Sequence, residues 1–168
     1  QQDNPILYEK AGYCCERIKD YAGAIKYYKR AELFDTDHSW IYKRMGLCYR
    51  QLKDPENAIF YFMEAEKREP ENTNIQSQIG HCYLELKDYK NALDYFFKVE
   101  FMNQNSQKVW RPIAWCCFIL GKFDEAEKYY QQIIENAPTH FDYMNLGHLL
   151  WSKGHLDQAL PYYLKCLL

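Results

Sequence analysis

Small residues recur along this chain at a nearly constant interval. Gly12, Gly46 and Gly80 are 34 residues apart, Ala114 continues the interval, and Gly147 follows after 33 residues. A period of this length is typical of helical repeat proteins, in which each unit is one supersecondary element. A small residue at the same place in each unit lets two helices approach closely. The spacing therefore predicts five successive copies of one small unit.

A second column keeps the same register. An alanine lies 12 residues after each small residue, and an aromatic pair follows three and four residues later. Apolar residues at these spacings predict two amphipathic helices in each unit. The members of the column are Ala24 with Tyr27 and Tyr28, Ala58 with Tyr61 and Phe62, Ala92 with Tyr95 and Phe96, Ala126 with Tyr129 and Tyr130, and Ala159 with Tyr162 and Tyr163.

A turn is predicted inside each unit, and a loop between units. Asp or Gly separates the two helices, as in Lys53-Asp54-Pro55 and Gly121-Lys122-Phe123, and these residues end one helix and cap the next. No polar capping helix follows the last unit, so we expect these repeats to be a segment of a longer protein. The predicted repeats of the single domain 1–168 are about 5–38, 39–72, 73–106, 107–139 and 140–168.

The second unit shows the full pattern of aromatic, Leu-Gly-like pair, aromatic, Ala, aromatic, Ala and Pro. Its residues are Tyr42, Met45-Gly46, Tyr49, Ala58, Phe62, Ala65 and Pro70. Over nearly its whole length the chain resembles the tetratricopeptide repeat family, although Thr36 and Gln104 replace the closing proline of the first and third units. The resemblance implies an all-α, right-handed superhelical solenoid of five helix-turn-helix repeats, whose first helices line a concave groove.

The resemblance also assigns residues to that groove. The lining is basic in the middle and aromatic toward the C-terminal half, which suits a peptide or helix with acidic and large apolar side chains. The alternative is that these charges only keep the surface hydrated. The assigned residues are Tyr13, Lys43, Arg44, Arg50, Gln78, His81, Lys108, Arg111, Trp115, Phe118, Phe141, Met144, Asn145, His148 and Trp151.

One ligand class of the family is not expected. Repeats that clamp the C-terminal carboxylate of heat-shock chaperones carry Asn, Asn and Arg where this chain has Leu47, Gln78 and Pro112. We therefore do not extend chaperone binding to this chain.

The sequence offers no pattern for catalysis or for a metal. Cys14, Cys48, Cys82 and Cys116 share one register, but equivalent helices lie roughly 8–10 Å apart, whereas thiolates lie about 2.3 Å from a shared zinc ion. We interpret these cysteines as small buried packing residues. No two histidines are three or four residues apart, and no phosphate loop or nucleophile elbow is present. We expect no metal, no cofactor and no enzyme activity.

The net charge of the chain limits the classes of partner that we expect. The 21 Lys and Arg against 23 Asp and Glu give a net charge of -2, which provides no general attraction for nucleic acid or for a membrane. We expect a protein–protein interaction scaffold in the cytoplasm, and because the sequence does not begin with Met, we expect it to be a processed or trimmed piece. Two alternatives stay open: self-assembly through the terminal repeat, and an accessory domain of a larger sensor or enzyme.

Overall fold

The computed structural model describes residues 4–34, 38–103 and 107–167, and within these ranges the chain forms ten α-helices and no strand. The chain is therefore all-α, as predicted, whereas Thr36 and Gln104 lie outside the described residues. The helices are α1 (Pro5–Arg17), α2 (Tyr21–Glu32), α3 (Ser39–Gln51), α4 (Pro55–Arg68), α5 (Thr73–Glu85), α6 (Tyr89–Met102), α7 (Gln107–Ile119), α8 (Phe123–Asn136), α9 (His140–Ser152) and α10 (Leu156–Lys165).

The chain divides into two compact units. Unit 1 comprises residues 1–88 and contains α1 to α5, and unit 2 comprises residues 89–168 and contains α6 to α10. Within each unit, every helix packs against the next helix along the chain. This succession of neighbour contacts is that of a helical repeat array. The boundary falls inside the third predicted repeat, so one continuous domain of five repeats stays a prediction.

The turn after the first helix of each pair contains a residue with left-handed backbone geometry. This residue lies seven positions after the small residue in every pair. At α3, the N–H of Lys53 donates to the Arg50 carbonyl at 3.0 Å, and the N–H of Asp54 donates to the Tyr49 carbonyl at 3.0 Å. These bonds satisfy carbonyls at the end of the helix. The left-handed residues are Lys19 (φ 64), Lys53 (φ 61), Lys87 (φ 60), Gly121 (φ 74) and Gly154 (φ 82).

The predicted aspartate caps are present at the second helices of unit 1. The Asp20 carboxylate accepts from the N–H of Gly23 at 2.9 Å, and the Asp54 carboxylate accepts from the N–H of Asn57 at 3.1 Å. Each carboxylate thereby satisfies an N–H that has no partner inside its own helix.

The small and aromatic columns of the sequence form the core. A Cβ on Gly12 would lie 2.5 Å from the Tyr28 ring, and one on Gly46 would lie 2.7 Å from the Phe62 ring. The aromatic residue of the second helix therefore packs directly on the backbone of the first helix. The column alanines are completely buried, namely Ala24, Ala58, Ala92, Ala126 and Ala159.

Three members of the cysteine column are buried, as predicted, and one is not. Cys48, Cys82 and Cys116 are at most 1% exposed, and burial raises the pKa of each thiol to about 12. Cys14 is exposed, because no earlier helix pair covers α1 among the described residues. The interpretation as packing residues is thus correct for three positions and wrong for Cys14.

Candidate functional site

The predicted groove residues of unit 1 are held in contacts within the chain, beginning where α1, α2 and α3 meet. The Arg44 guanidinium binds the Glu16 carboxylate through Nε, at 2.8 Å, and through Nη2. The Tyr28 hydroxyl donates to the same carboxylate at 2.6 Å. Arg44 also lies over the rings of Tyr13 and Trp40, at 5.4 and 5.9 Å from their centroids. We call these five residues the α1–α3 junction.

Protonation in the α1–α3 junction follows from its geometry. Burial, followed by the hydrogen bond to Glu16, raises the pKa of Tyr28 well above its usual range. Burial alone would lower the pKa of Arg44, but its hydrogen bonds to Glu16 outweigh that effect and raise it. The hydroxyl therefore stays neutral and the guanidinium stays charged, so this polar cluster keeps its bonds at physiological pH.

Two further cations of unit 1 also have partners. The Lys43 ammonium lies 3.1 Å from the Glu69 carboxylate, which belongs to the loop after α4. The Arg50 guanidinium donates to the Gln78 side chain and to the Glu85 carboxylate, both on α5. The basic residues predicted to attract an acidic ligand are therefore already neutralised by carboxylates of the chain itself.

His81 is the remaining predicted groove residue of unit 1. It is half-buried on α5, and burial, with the Arg50 charge adding to it, lowers the pKa of its imidazole. His81 is consequently neutral at physiological pH and adds no positive charge to this surface.

In unit 2, Arg111 connects α7 to the start of α9. Its Nε lies 2.9 Å from Oδ1 of Asp142, its Nη2 lies 2.9 Å from Oδ2, and Nη2 also donates to the Ala137 carbonyl at 2.8 Å. The N–H and hydroxyl of Thr139 donate to Oδ2 of Asp142 at 2.7 and 2.8 Å. Arg111, predicted as a ligand contact, is thus a link between helices.

The Asp142 carboxylate is ionised despite being 2% exposed. Burial alone would raise its pKa, but the hydrogen bonds from Arg111 and Thr139 outweigh burial and lower the pKa below its usual range. A buried carboxylate with these donors fixes the N-terminus of α9 as part of a capping box.

Four predicted groove residues come together in unit 2. They line a cavity of about 490 Å³, which we call the aromatic pocket. The ring centroids of Trp115 and Phe118 are 6.0 Å apart, and those of His148 and Tyr163 are 5.4 Å apart and edge to face. Trp151 is 61% exposed. The lining residues are Trp115, Phe118, His148, Trp151, Ser152 and Tyr163.

A second cavity of about 520 Å³ lies between α7 and α9 and shares Trp115 with the aromatic pocket. We call it the junction pocket. Tyr130 lines it, and the hydroxyl of this residue is buried and has no hydrogen-bond partner within the described residues. The predicted residues Lys108 and Met144 line neither cavity. The junction pocket is lined by Arg111, Pro112, Trp115, Tyr130, Thr139, Phe141, Asp142 and Asn145.

Six residues of these cavities were not predicted as site residues, namely Pro112, Tyr130, Thr139, Asp142, Ser152 and Tyr163. Tyr130 and Tyr163 belong to the aromatic pairs, which the sequence assigns to packing. Asp142 had a signal that could have revealed it. It stands five residues before the small residue, where the other first helices have an aliphatic side chain, and a carboxylate in such a column is expected to have a special partner. The aliphatic equivalents are Leu7, Ile41, Ile75 and Val109.

Within the described ranges, no three His, Cys, Asp or Glu side chains are grouped closely enough to hold a metal ion. None of the described helices combines the length and the apolar character that a membrane span requires.

Comparisons with known proteins identify helical repeats. The model of the tetratricopeptide repeat matches residues 6–38 and 143–168, and the model of anaphase-promoting complex, cyclosome, subunit 3 matches residues 55–133. No curated protein matches.

Solved structures of similar fold cover almost the whole chain. A crystal structure of MamA has a TM-score of 0.89 and 20% identity, and the alignment covers 97% of this chain and 90% of that chain. MamA from Desulfovibrio magneticus RS-1 has a TM-score of 0.89 and 19% identity, with 98% and 94% covered. YrrB, described as a TPR protein with an unusual peptide-binding site, has a TM-score of 0.86 and 21% identity, with 98% and 85% covered. At such low identities, the TM-scores show a shared fold and nothing more.

Proposed function

Because the chain belongs to the tetratricopeptide repeat family, we propose that it is a non-enzymatic interaction scaffold that binds a peptide or helix of a partner protein. The binding surface is the first-helix face of unit 2, formed by α7 and α9. The scaffold role is common to this family and fits the description of YrrB as a protein with a peptide-binding site.

The aromatic pocket is the observation that carries this proposal. Trp115 and Trp151 are 39% and 61% exposed, although large apolar rings are normally covered in a monomer. The pocket brings together rings from two first helices and Tyr163 of α10, so its shape depends on folded helices rather than on a loop. Pockets of this kind accept the aromatic or aliphatic anchor residue of a partner.

The arginine of this surface is not available to an acidic partner. Arg111 on α7 already binds the Asp142 carboxylate of the chain itself. A ligand carboxylate would have to displace Asp142 from it, which gives little net gain in free energy. The proposed partner segment is therefore defined by its apolar anchor.

The test is selection from a random peptide library displayed on phage, with the wild-type chain as bait. We expect the selected peptides to share a large apolar residue, and we expect Trp151→Ala to weaken their binding at least tenfold, because truncation of a central aromatic residue typically costs about 2 kcal/mol. Isothermal titration calorimetry with the synthetic peptides gives the two affinities.

Phe101→Ala is the matched control. Phe101 lies on α6 of the same unit, is 87% exposed and lines neither cavity, so its truncation should leave the affinity unchanged. Equal affinity of the selected peptides for wild type and for Trp151→Ala would place the binding surface elsewhere and reject the proposal.

Self-association is a second candidate, favoured by α10. Leu160 is 58% exposed, whereas the residues in the same register on α2, α4 and α6 are at most 8% exposed, because each of these helices packs against the helix that follows it. Light scattering tests this candidate: a mass that rises with concentration, and that Leu160→Glu returns to the monomer, supports it. A constant monomer mass rejects it. The equivalent residues are Ile25, Ile59 and Leu93.

A further inference from the structure

The junction pocket of unit 2 occupies the same place in the repeat as the α1–α3 junction of unit 1. Both are formed by two successive first helices and the second helix between them. In the α1–α3 junction the Arg44 guanidinium lies beside Glu16 and over the rings of Tyr13 and Trp40, whereas the junction pocket is a cavity of about 520 Å³. The equivalent pairs, counted from the small residue of each first helix, are Tyr13 and Trp115, Glu16 and Phe118, Tyr28 and Tyr130, Trp40 and Phe141, and Arg44 and Asn145.

The missing component of the junction pocket is a guanidinium. In unit 1, Arg44 lies over two aromatic rings and beside a tyrosine whose hydroxyl is bonded. In unit 2 the two rings and the tyrosine are kept, but Asn145 is too short to reach across them in the same way. Trp115 is 39% and Phe141 is 58% exposed, compared with 43% for Tyr13 and 39% for Trp40, so the rings of both junctions are accessible from solvent.

The Tyr130 hydroxyl gives a second, independent sign of a missing group. Its equivalent in unit 1 donates to Glu16, but Phe118 stands in that place in unit 2 and offers no acceptor. The hydroxyl of Tyr130 is buried and has no partner among the described residues. A buried hydroxyl without a hydrogen bond costs free energy, and a ligand that supplies one recovers it.

We propose that the junction pocket binds an arginine side chain of the partner segment, with its guanidinium between Trp115 and Phe141 and an N–H donated to the Tyr130 hydroxyl oxygen. The inference rests on the proposed function, because the arginine belongs to the same segment whose apolar anchor occupies the aromatic pocket. Trp115 lines both cavities, so the two side chains of the segment would both contact it.

The electrostatics of the junction pocket allow a cation. Arg111 forms an ion pair with the buried Asp142 carboxylate, so the pocket's own charges cancel. A guanidinium is planar and weakly hydrated and stacks on aromatic faces, which favours arginine over lysine. Because Phe118 replaces the carboxylate of Glu16, an isolated arginine should bind weakly, and most of the affinity must come from the rest of the segment.

The first experiment compares N-acetyl-arginine amide with N-acetyl-citrulline amide, which has nearly the same shape but no charge. Each compound is titrated into ¹⁵N-labelled protein, and the indole N–H signal of Trp115 is followed by NMR. We expect the arginine compound to bind about two- to fivefold more tightly than the citrulline compound, in keeping with cation–π contacts at exposed sites. Equal binding, tighter binding of citrulline, or no shift at Trp115 would overturn the inference.

Two variants test the comparison with unit 1. Phe118→Glu supplies the missing carboxylate and should tighten binding of the arginine compound about tenfold, since hydrogen bonds between charged groups are the strong ones. Asn145→Arg places a guanidinium of the chain in the pocket and should abolish binding of that compound. Thermal unfolding by circular dichroism verifies that both variants fold. Unchanged binding in both folded variants would place the arginine compound elsewhere.

These experiments distinguish a failure of this inference from a failure of the proposed function. If selected peptides bind equally well with arginine or citrulline, the inference fails while the scaffold function stands. If no peptide binds but the arginine compound still shifts Trp115, the scaffold function fails while the chemistry of the junction pocket stands.

Discussion

The α1–α3 junction of unit 1 and the junction pocket of unit 2 show two uses of one repeat geometry. In unit 1, Glu16 and Arg44 bind each other and join two successive first helices. In unit 2, the same positions carry Phe118 and Asn145, which cannot form an ion pair, and a cavity lies between the first helices. We infer that these two side chains decide whether such a junction holds the fold together or accepts a ligand.

The largest effect is expected from removing the cation of the α1–α3 junction. Arg44→Ala leaves Glu16, whose side chain is 9% exposed, as an unpaired buried carboxylate. We expect a loss of about 2–4 kcal/mol in the free energy of unfolding, as for other buried ion pairs that lose one partner. Urea denaturation followed by circular dichroism at pH 7 measures it.

Asn145→Ala is the matched variant in unit 2 and should change the same quantity by less than about 0.5 kcal/mol. Comparable losses in Arg44→Ala and Asn145→Ala would contradict the distinction between a junction joined by an ion pair and one without it.

The second expected effect concerns the polar link that unit 2 does have. The pKa of Asp142 is lowered in the folded chain, so its contribution to stability is complete above the usual aspartate pKa of about 4 and is lost as the pH falls through the lower folded value. Asp142→Asn should destabilise by about 1–2 kcal/mol at pH 7 and flatten the loss of stability below about pH 4. Urea denaturation at a series of pH values measures both.

Asp157→Asn serves as the control for this pH series, since Asp157 is exposed on α10. If Asp157→Asn reduces the loss of stability at acid pH as much as Asp142→Asn does, the buried ion pair is not the source of the acid sensitivity.

The smallest effect concerns the turns, where unit 1 has lysine and unit 2 has glycine at positive φ. Lys53→Gly should stabilise the chain by up to about 1 kcal/mol, because a left-handed conformation is strained for a residue with a Cβ. Gly121→Lys should destabilise by a similar amount, since nothing lies within 4 Å of an added Cβ and only the backbone strain remains. Thermal unfolding of the two variants should shift in opposite directions, and shifts of the same sign would contradict this account.

The fold could be predicted well from the sequence, because the small and aromatic residues that recur in every repeat form the core. Gly46 and Phe62 are in direct contact, and Ala58 is completely buried. The residues that recur at a fixed interval in the sequence are therefore the residues that pack against each other in the core. Turn positions were predictable for the same reason. Each lies at a constant distance from the small residue.

The candidate site was predictable only in part. Placing Trp115, Phe118, His148 and Trp151 on one face required only the register of the first helices, and these four do line one pocket. The ion pairs were not predictable, because their carboxylates come from different registers: Glu69 from a loop, Glu85 from a helix end and Asp142 from an aliphatic column. Whether a basic residue is available to a ligand depends on such partners, which periodicity does not reveal.

The buried cysteines make the transient opening of each unit measurable by chemical labelling. Cys48 and Cys82 lie in unit 1, Cys116 and Cys117 lie in unit 2, and burial raises the pKa of all four thiols. A thiol of this kind reacts with an alkylating reagent only while its helix pair is transiently open. The rates at which these cysteines are labelled in the unmodified protein therefore report how often each unit opens, without any probe being introduced.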